Sequence, residues 1–179
     1  GLLIGGATWV NDPARGTVVD LDGVDDAIAI DPDLLELDTF NAFTISVWVQ
    51  SDIGIGVTQD IATWWRWTGY PCTDCAINLA QHSNGRYRFE IAGTSVEGGT
   101  SSTSWTHIAA TYDGFTMRLY VGGVQVGSVA RSGALPASTA DLLFGGQGNG
   151  TNDFDGRMDQ IDVYAEALGP AEIAALAAD

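Results

Sequence analysis

The sequence has 179 residues, of which only 17% are charged, yet its formal net charge is −16. A field of that sign disfavours nucleic acids and anionic membranes as partners, and no apolar run approaches the roughly 18 to 20 residues of a membrane span. A chain of this length can fold as one domain without stabilising disulfides or metal ions. The N-terminus lacks a signal-peptide pattern. We therefore expect residues 1–179 to be a single extracellular or cell-surface domain, excised from a larger multidomain protein.

Short strand patterns fill the first third of the chain. Residues 2–4 and 7–10 predict two short strands around Gly5-Gly6. Residues 18–30, VVDLDGVDDAIAI, predict two strands joined by an acidic turn. Residues 43–49 place apolar side chains at alternate positions, which is typical of a strand.

The remaining two-thirds continue the same pattern. Asn84-Gly85 lies between two alternating runs and is a strong hairpin signal. Strand patterns recur at 105–112, 117–121, 124–130, 142–145 and 157–164. A helix is predicted only at the C-terminus, where Pro170 and Glu172 occupy its first turn. The whole pattern predicts an all-β fold, a sandwich of two antiparallel sheets with a short C-terminal helix.

Two acids lie within the apolar periodicity of their strands. Asp26 shares the parity of Ile28 and Ile30, and Asp159 shares that of Ile161 and Val163. A buried carboxylate needs a partner, and the chain has seven arginines and no lysine. We predict a structural calcium ion, which accepts mixed carboxylate and carbonyl ligands. The alternative is that both acids lie on the surface of a very acidic protein.

The two cysteines, Cys72 and Cys75, lie in a loop rich in proline and glycine. We predict a small local disulfide between them. Redox chemistry and a zinc site remain alternatives, although a zinc site would need a second pair of ligands.

Four stretches resemble the LamG-like jellyroll group of the concanavalin A-like lectin/glucanase superfamily. They are LDGVDDAIAI, NAFTISVWV, SWTHIAATYDGFTMRLYVGGVQVGS and LLFGGQGNGTNDFDGRMDQIDVYAEALGPAEIAAL. The resemblance covers most of the chain and implies a concanavalin A-like jelly roll. It also implies a structural calcium whose ligands include Asp22 or Asp26 of the acidic turn, together with Asp159.

The residue patterns argue against catalysis. Glucanases of the superfamily hold two carboxylates about 5 Å apart on one face. The nearest pair, Asp159 and Asp162, has opposite strand parity and is expected to face opposite ways. His107 is expected to be a buried strand residue and His82 to lie beside an exposed turn, so no lyase constellation can be assembled. We predict a protein that is not an enzyme.

Binding is the favoured function, because aromatic faces stack on sugars while amides and carboxylates bond the hydroxyl groups. The candidate aromatic platform comprises Trp64, Trp65, Trp67 and Tyr70. The candidate polar loop supplies Gln147, Asn149, Asn152 and Asp153. The alternatives are core tryptophans and ordinary turn chemistry.

We predict a calcium-stabilised carbohydrate-binding or adhesion module that takes a glycan or polysaccharide and adjoins other domains of its parent chain. A protein-interaction or spacer module is the second hypothesis, and a polysaccharide hydrolase or lyase is the third.

Overall fold

The computed structural model describes residues 1–31, 41–65, 75–136, 138, 140–146 and 151–179, with only the backbone of Trp65 and Cys75. Strand formation follows the alternation of apolar residues along the sequence. The strands in these ranges are β1 (Leu2–Ile4), β2 (Thr8–Asp12), β3 (Gly16–Asp22), β4 (Ala27–Ile30), β5 (Phe43–Ser51), β6 (Gln59–Trp65), β7 (Cys75–Gln81), β8 (Tyr87–Ile91), β9 (Thr94–Gly98), β10 (Thr106–Tyr112), β11 (Thr116–Val121), β12 (Val124–Ala130), β13 (Leu142–Phe144) and β14 (Asp155–Tyr164). A helix, α1, spans Pro170–Leu176.

The strands form two seven-stranded sheets. The first sheet has the order β1-β4-β13-β6-β7-β8-β9, and the second has the order β12-β11-β10-β5-β14-β3-β2. All of their pairings are antiparallel. The predicted two-sheet antiparallel sandwich with a short C-terminal helix is therefore confirmed.

The core lies between the sheets and is built from alternate residues of the strands. On β5, Phe43, Ile45, Val47 and Val49 are at most 1% exposed. The ring of Phe43 meets that of Phe89 from the other sheet edge-on, with their centroids 6.1 Å apart. Burial of each such side chain contributes about 1.5–3 kcal/mol, so the two inner faces hold the sandwich together.

Helix α1 packs on the outer face of the second sheet. Ile173 and Leu168 contact Ala109 and Tyr120 there. The Glu172 carboxylate accepts a hydrogen bond of 2.8 Å from the Gly169 amide at the start of the helix. Across the part of the chain that the structure describes, no helix is long and apolar enough to cross a membrane.

The two flanks of the sandwich differ. At the β9–β12 flank the edges meet closely: a Cβ on Gly98 would lie 2.6 Å from the Val126 carbonyl oxygen, and one on Gly127 would lie 2.6 Å from Val96. At the β1–β2 flank, by contrast, Leu2 is 68% exposed and Trp9 is 64% exposed. The sandwich is therefore closed on one flank and open on the other.

Candidate metal and ligand site

The turn between β3 and β4 brings three carboxylates together. Asp22, Asp25 and Asp26 each offer an oxygen, and these oxygens lie within 4.8 Å of one another. Asp22 and Asp25 are exposed, whereas Asp26 is buried. Because the three negative charges are close, they repel one another unless a cation lies between them. This cluster could hold one metal ion.

Backbone amides hold Asp26 in place. Its Oδ2 accepts a hydrogen bond of 3.0 Å from the Asp22 amide, and its Oδ1 accepts one from the Gly6 amide. The chain can approach this closely because Gly5 has a φ of +76° and no Cβ, and a Cβ there would collide with the Asp25 carbonyl oxygen. The parity argument that Asp26 faces inward is therefore correct, and both of its oxygens accept backbone hydrogen bonds.

More acids surround this turn. Asp155, at the start of β14, lies opposite Asp22 in the strand register. Burial raises the pKa of the Asp155 carboxyl above its ordinary value, and the negative charges of Asp52, Asp22 and Asp20 raise this pKa further. Arg157 pairs with Asp20 and Asp12, since its Nε donates to Asp20 at 3.0 Å and its Nη1 donates to Asp12 at 3.0 Å. The end of the sandwich is thus strongly acidic.

The predicted polar loop adjoins the acidic turn. It follows β13, and a Cβ on Gly145 would lie 3.3 Å from the Asp26 carbonyl oxygen. The loop ends at Asp155, opposite Asp22. Within it, Asn152 is exposed with a φ of +59°, and Asp153 is 5% exposed. The fold therefore brings Asn152 and Asp153 to the same end as Asp22 and Asp26, two of the predicted metal ligands.

Asp159 does not join the carboxylate cluster, contrary to the prediction. Asp155 lies opposite Asp22, and Asp159 is four residues further along β14, which is about 13 Å. Its Oδ2 instead accepts a 2.8 Å hydrogen bond from Arg15 Nε in an ion pair. The Arg15 guanidinium also lies 4.1 Å from the ring centroid of Trp48. The hairpin between β2 and β3 provides this partner.

The prediction that the side chains of Asp159 and Asp162 point to opposite faces of β14 was also wrong. A β-bulge around Gln160, whose φ is +45°, shifts the register of β14 against β5. Asp159 lies opposite Trp48 and Asp162 opposite Ser46, two positions of β5 that share a face. The two acids nevertheless line separate pockets, Asp159 an apolar one and Asp162 a small polar one beside Ser46 and Trp48.

Trp64 is a core residue and not a ligand contact, in contrast to the predicted aromatic platform. Its side chain is fully buried, and Nε1 donates a 3.0 Å hydrogen bond to the Ala140 carbonyl oxygen. The backbone of Trp65 pairs with Cys75. The other predicted residues, Trp67, Tyr70, Cys72, Gln147 and Asn149, lie outside the described residues.

The predicted aromatic platform and the predicted polar loop lie at opposite ends of β6. Asp60, near its start, donates its amide to the Asn152 carbonyl oxygen at 2.7 Å. Trp64 and Trp65 lie at its other end, with Trp64 opposite Leu142. The described residues therefore do not unite the two halves of the predicted glycan site.

Sequence reasoning missed the third carboxylate of the cluster, Asp25, and the neighbouring acids Asp52 and Asp155. The spacing Asp-x-x-Asp-Asp in the turn could have indicated Asp25, because a tight turn brings such side chains to one point. Asp52 and Asp155 have no local signal, since they reach the site through the pairing of β14 with β3 and β5.

The architecture defines the class of this protein as a two-sheet jelly-roll β-sandwich with an acidic cluster at one end. The chain belongs to the concanavalin A-like lectin/glucanases superfamily, because a laminin G family model of that description matches residues 22–174. The resemblance seen in the sequence is thereby confirmed. No curated protein matches the chain.

Solved structures show the same fold. The chain is similar to domain 4 of AbnA, an extracellular GH43 arabinanase from Geobacillus stearothermophilus in complex with arabinotriose, with 18% identity, a TM-score of 0.72, and coverage of 97% of this chain and 82% of that one. It is similar to the CBM40 of the Ruminococcus gnavus IT-sialidase bound to α2,3 sialyllactose, with 12% identity, a TM-score of 0.73, and coverage of 89% and 95%.

A third similar structure is the binding domain of Paraclostridial Mosquitocidal Protein 1, with 17% identity and a TM-score of 0.76. The match covers 98% of this chain but spans only 47% of that one. At these identities the three likenesses show the fold alone.

Proposed function

We propose that the chain is a non-catalytic, calcium-stabilised carbohydrate-binding or adhesion module of an extracellular multidomain protein. The observation that carries the proposal is the convergence of Asp22, Asp25 and Asp26 within 4.8 Å, directly beside the loop that bears Asn152. Structures with the same fold give further support, since two of them are described with bound arabinotriose and sialyllactose.

Calcium fits the chemistry of the cluster. The ion takes six to eight oxygen ligands at about 2.3–2.6 Å and tolerates irregular geometry. Asp22 and Asp25 present exposed carboxylates, and Asp26 is already positioned by two backbone amides. Calcium would neutralise the repulsion among these acids and tie the β3–β4 turn together. In this role the ion is structural.

The polar loop is the proposed glycan contact. Asn152 is exposed beside the acidic end, and amides and carboxylates are the groups that bond sugar hydroxyls. The proposed glycan contacts also include Trp67, Tyr70, Gln147 and Asn149. Catalysis is not proposed, because Asp159 is ion-paired with Arg15 and lines a different pocket from Asp162.

A glycan and polysaccharide array, probed once with calcium and once with chelator, tests the proposal. We expect glycan retention that weakens in chelator, and loss of the calcium effect in Asp25→Asn. Asp141→Asn is the matched control, because Asp141 is exposed just ahead of β13, at the end of that strand away from Asp26. A blank array would favour the protein-interaction or spacer function, while release of reducing ends from any polysaccharide would favour a hydrolase.

A further inference from the structure

A pocket lies at the tip of the hairpin between β10 and β11. It has a volume of about 340 Å³, and the described residues that line it are Asn41, Asp113, Gly114, Phe115, Gly133 and Ala134. Pockets for small molecules measure about 300–1,000 Å³. We call it the hairpin pocket, and its size suits one small ring.

The hairpin pocket and the acidic turn lie at opposite ends of the sandwich. Strand β5 runs between the two ends. Its first residue, Phe43, lies opposite Tyr112 beside the pocket, and its last residue, Ser51, lies opposite Gly156 beside the acidic turn. Eight residues of a strand span about 26 Å. The hairpin pocket is therefore separate from the proposed calcium site.

Phe115 gives the pocket an exposed aromatic wall. The residue is 74% exposed, although its backbone is fixed. Its amide donates a 2.9 Å hydrogen bond to Asp113 Oδ1, and its carbonyl oxygen accepts one of 2.9 Å from the Arg131 amide. The negative face of an aromatic ring attracts weakly positive C–H groups, and covering an apolar ring is favourable. A ligand with a flat C–H face would gain both effects.

Hydrogen bonds hold the opposite wall in place. The Tyr112 hydroxyl donates to the Gly133 carbonyl oxygen at 2.5 Å and accepts a 2.8 Å hydrogen bond from Arg131 Nη1. Arg131 Nη2 donates to the Ala134 carbonyl oxygen at 3.1 Å. The wall is therefore ordered before any ligand arrives, which lowers the entropy cost of binding.

The charges around the pocket favour a neutral ligand. Asp113 Oδ2 accepts a 2.7 Å hydrogen bond from Arg118 Nη1 in an ion pair. Burial acts to raise the pKa of the Asp113 carboxyl, but hydrogen bonds from Arg118 and two backbone amides lower it below its ordinary value. The carboxylate thus stays charged, which disfavours an anion, while Arg118 and Arg131 disfavour a cation. Asn41 is exposed at the rim, and its amide can both donate and accept hydrogen bonds.

We propose that the hairpin pocket binds one neutral sugar ring of a glycan. The C–H face of the ring stacks on Phe115, and its hydroxyl groups bond the Asn41 amide and the Asp113 carboxylate. This inference rests on the proposed glycan-binding function and adds to it a contact that needs no calcium, because the pocket lies at the other end of β5 from the acidic turn.

Fluorine NMR in chelator tests the contact directly. The protein is labelled with 4-fluorophenylalanine at its six phenylalanines, and the signal of Phe115 is assigned by its loss in Phe115→Leu. The probes are cellotriose, mannotriose and galactotriose, each paired with the uronic acid trimer of the same sugar. At least one neutral trisaccharide should shift the Phe115 signal and bind at least tenfold more tightly than its charged counterpart.

Variants locate the site, with affinities measured by calorimetry in chelator. Phe115→Ala should weaken binding of the neutral trisaccharide at least tenfold, whereas Phe115→Trp should retain it because the aromatic face remains. Asn41→Ala should weaken binding at least threefold. The matched control is Val124→Ala, at the far end of β11 and 66% exposed, which should bind like the wild type.

Three results would overturn the inference. They are a Phe115 signal that no neutral trisaccharide shifts, equal affinity for the neutral and charged trimers, and unchanged affinity in Phe115→Ala. The proposed function would survive these results if glycan retention on the array still required calcium and was lost in Asp25→Asn. Conversely, trisaccharide binding at Phe115 without any calcium effect on the array would refute the calcium part of the proposed function and support this site.

Discussion

His107 should make the protein less stable in mild acid. Its ring is 1% exposed, and Nε2 lies 2.8 Å from Ser46 Oγ. Burial lowers the pKa of His107 from 6.5 to about 4, and the positive charge of Arg15 contributes to the lowering. The folded state therefore holds the imidazole neutral at a pH where the unfolded state has already bound a proton.

The sign and size of the effect follow from this difference. A histidine with a depressed folded pKa contributes no pH dependence above about 6.5, and stability falls as the pH drops from there to about 4. Each pKa unit corresponds to about 1.36 kcal/mol. The gap between 6.5 and about 4 thus sets a ceiling of about 3 kcal/mol on the loss.

Urea unfolding at pH 7, 6, 5 and 4.5, all in chelator to remove any metal effect, would measure this loss. His107→Gln keeps a polar group near Ser46 but cannot titrate, so its stability should fall less over the same range. His82→Gln, at the only other histidine, should behave like the wild type. Equal pH slopes for the wild type and His107→Gln would refute the reasoning.

Three further changes test other parts of the structure. Trp64→Ala should lower the free energy of unfolding by about 3–5 kcal/mol, because the indole is fully buried; a loss below 1 kcal/mol in urea unfolding would contradict its core position. Arg15→Met should destabilise the fold by about 1–3 kcal/mol, since it leaves the Asp159 carboxylate without its charged partner. In the wild type and in this variant alike, calcium should raise the melting temperature, because the folded state alone binds the ion; loss of that increase in Arg15→Met would link Asp159 to the metal site. Gly127→Ala should destabilise by about 1–3 kcal/mol, because its Cβ would lie 2.6 Å from Val96, and an unchanged melting temperature would show that the β9–β12 contact is looser.

Much of the fold could be predicted from local sequence patterns. Alternation identified β5 and β8, and Pro170 with Glu172 marked the start of α1. These signals suffice to locate the strands and the helix, because alternation of apolar side chains and the residues of a helix start are both read from positions close together in the sequence. The position of His107 on a buried strand was predicted for the same reason.

The site was less predictable, because residues that contact one another there are far apart in the sequence. Strand parity located the inward carboxylate of Asp26 correctly. The same argument failed for Asp159, since the bulge at Gln160 changes the facing of the strand and Arg15 arrives from 144 positions away. Trp64 was misassigned for a different reason: an aromatic-rich sequence is equally compatible with a ligand platform and with the core.

The close contact of β9 with β12 has a consequence for engineering this domain. A Cβ on Gly98 would lie 2.6 Å from the Val126 carbonyl oxygen, and one on Gly127 would lie 2.6 Å from the Val96 side chain. Substitutions at these two positions would therefore destabilise the fold. Val24, at the acidic end, is 59% exposed and carries no comparable packing constraint. A library for new binding specificity should therefore vary exposed positions such as Val24, and keep both the three carboxylates of the cluster and the glycine flank constant.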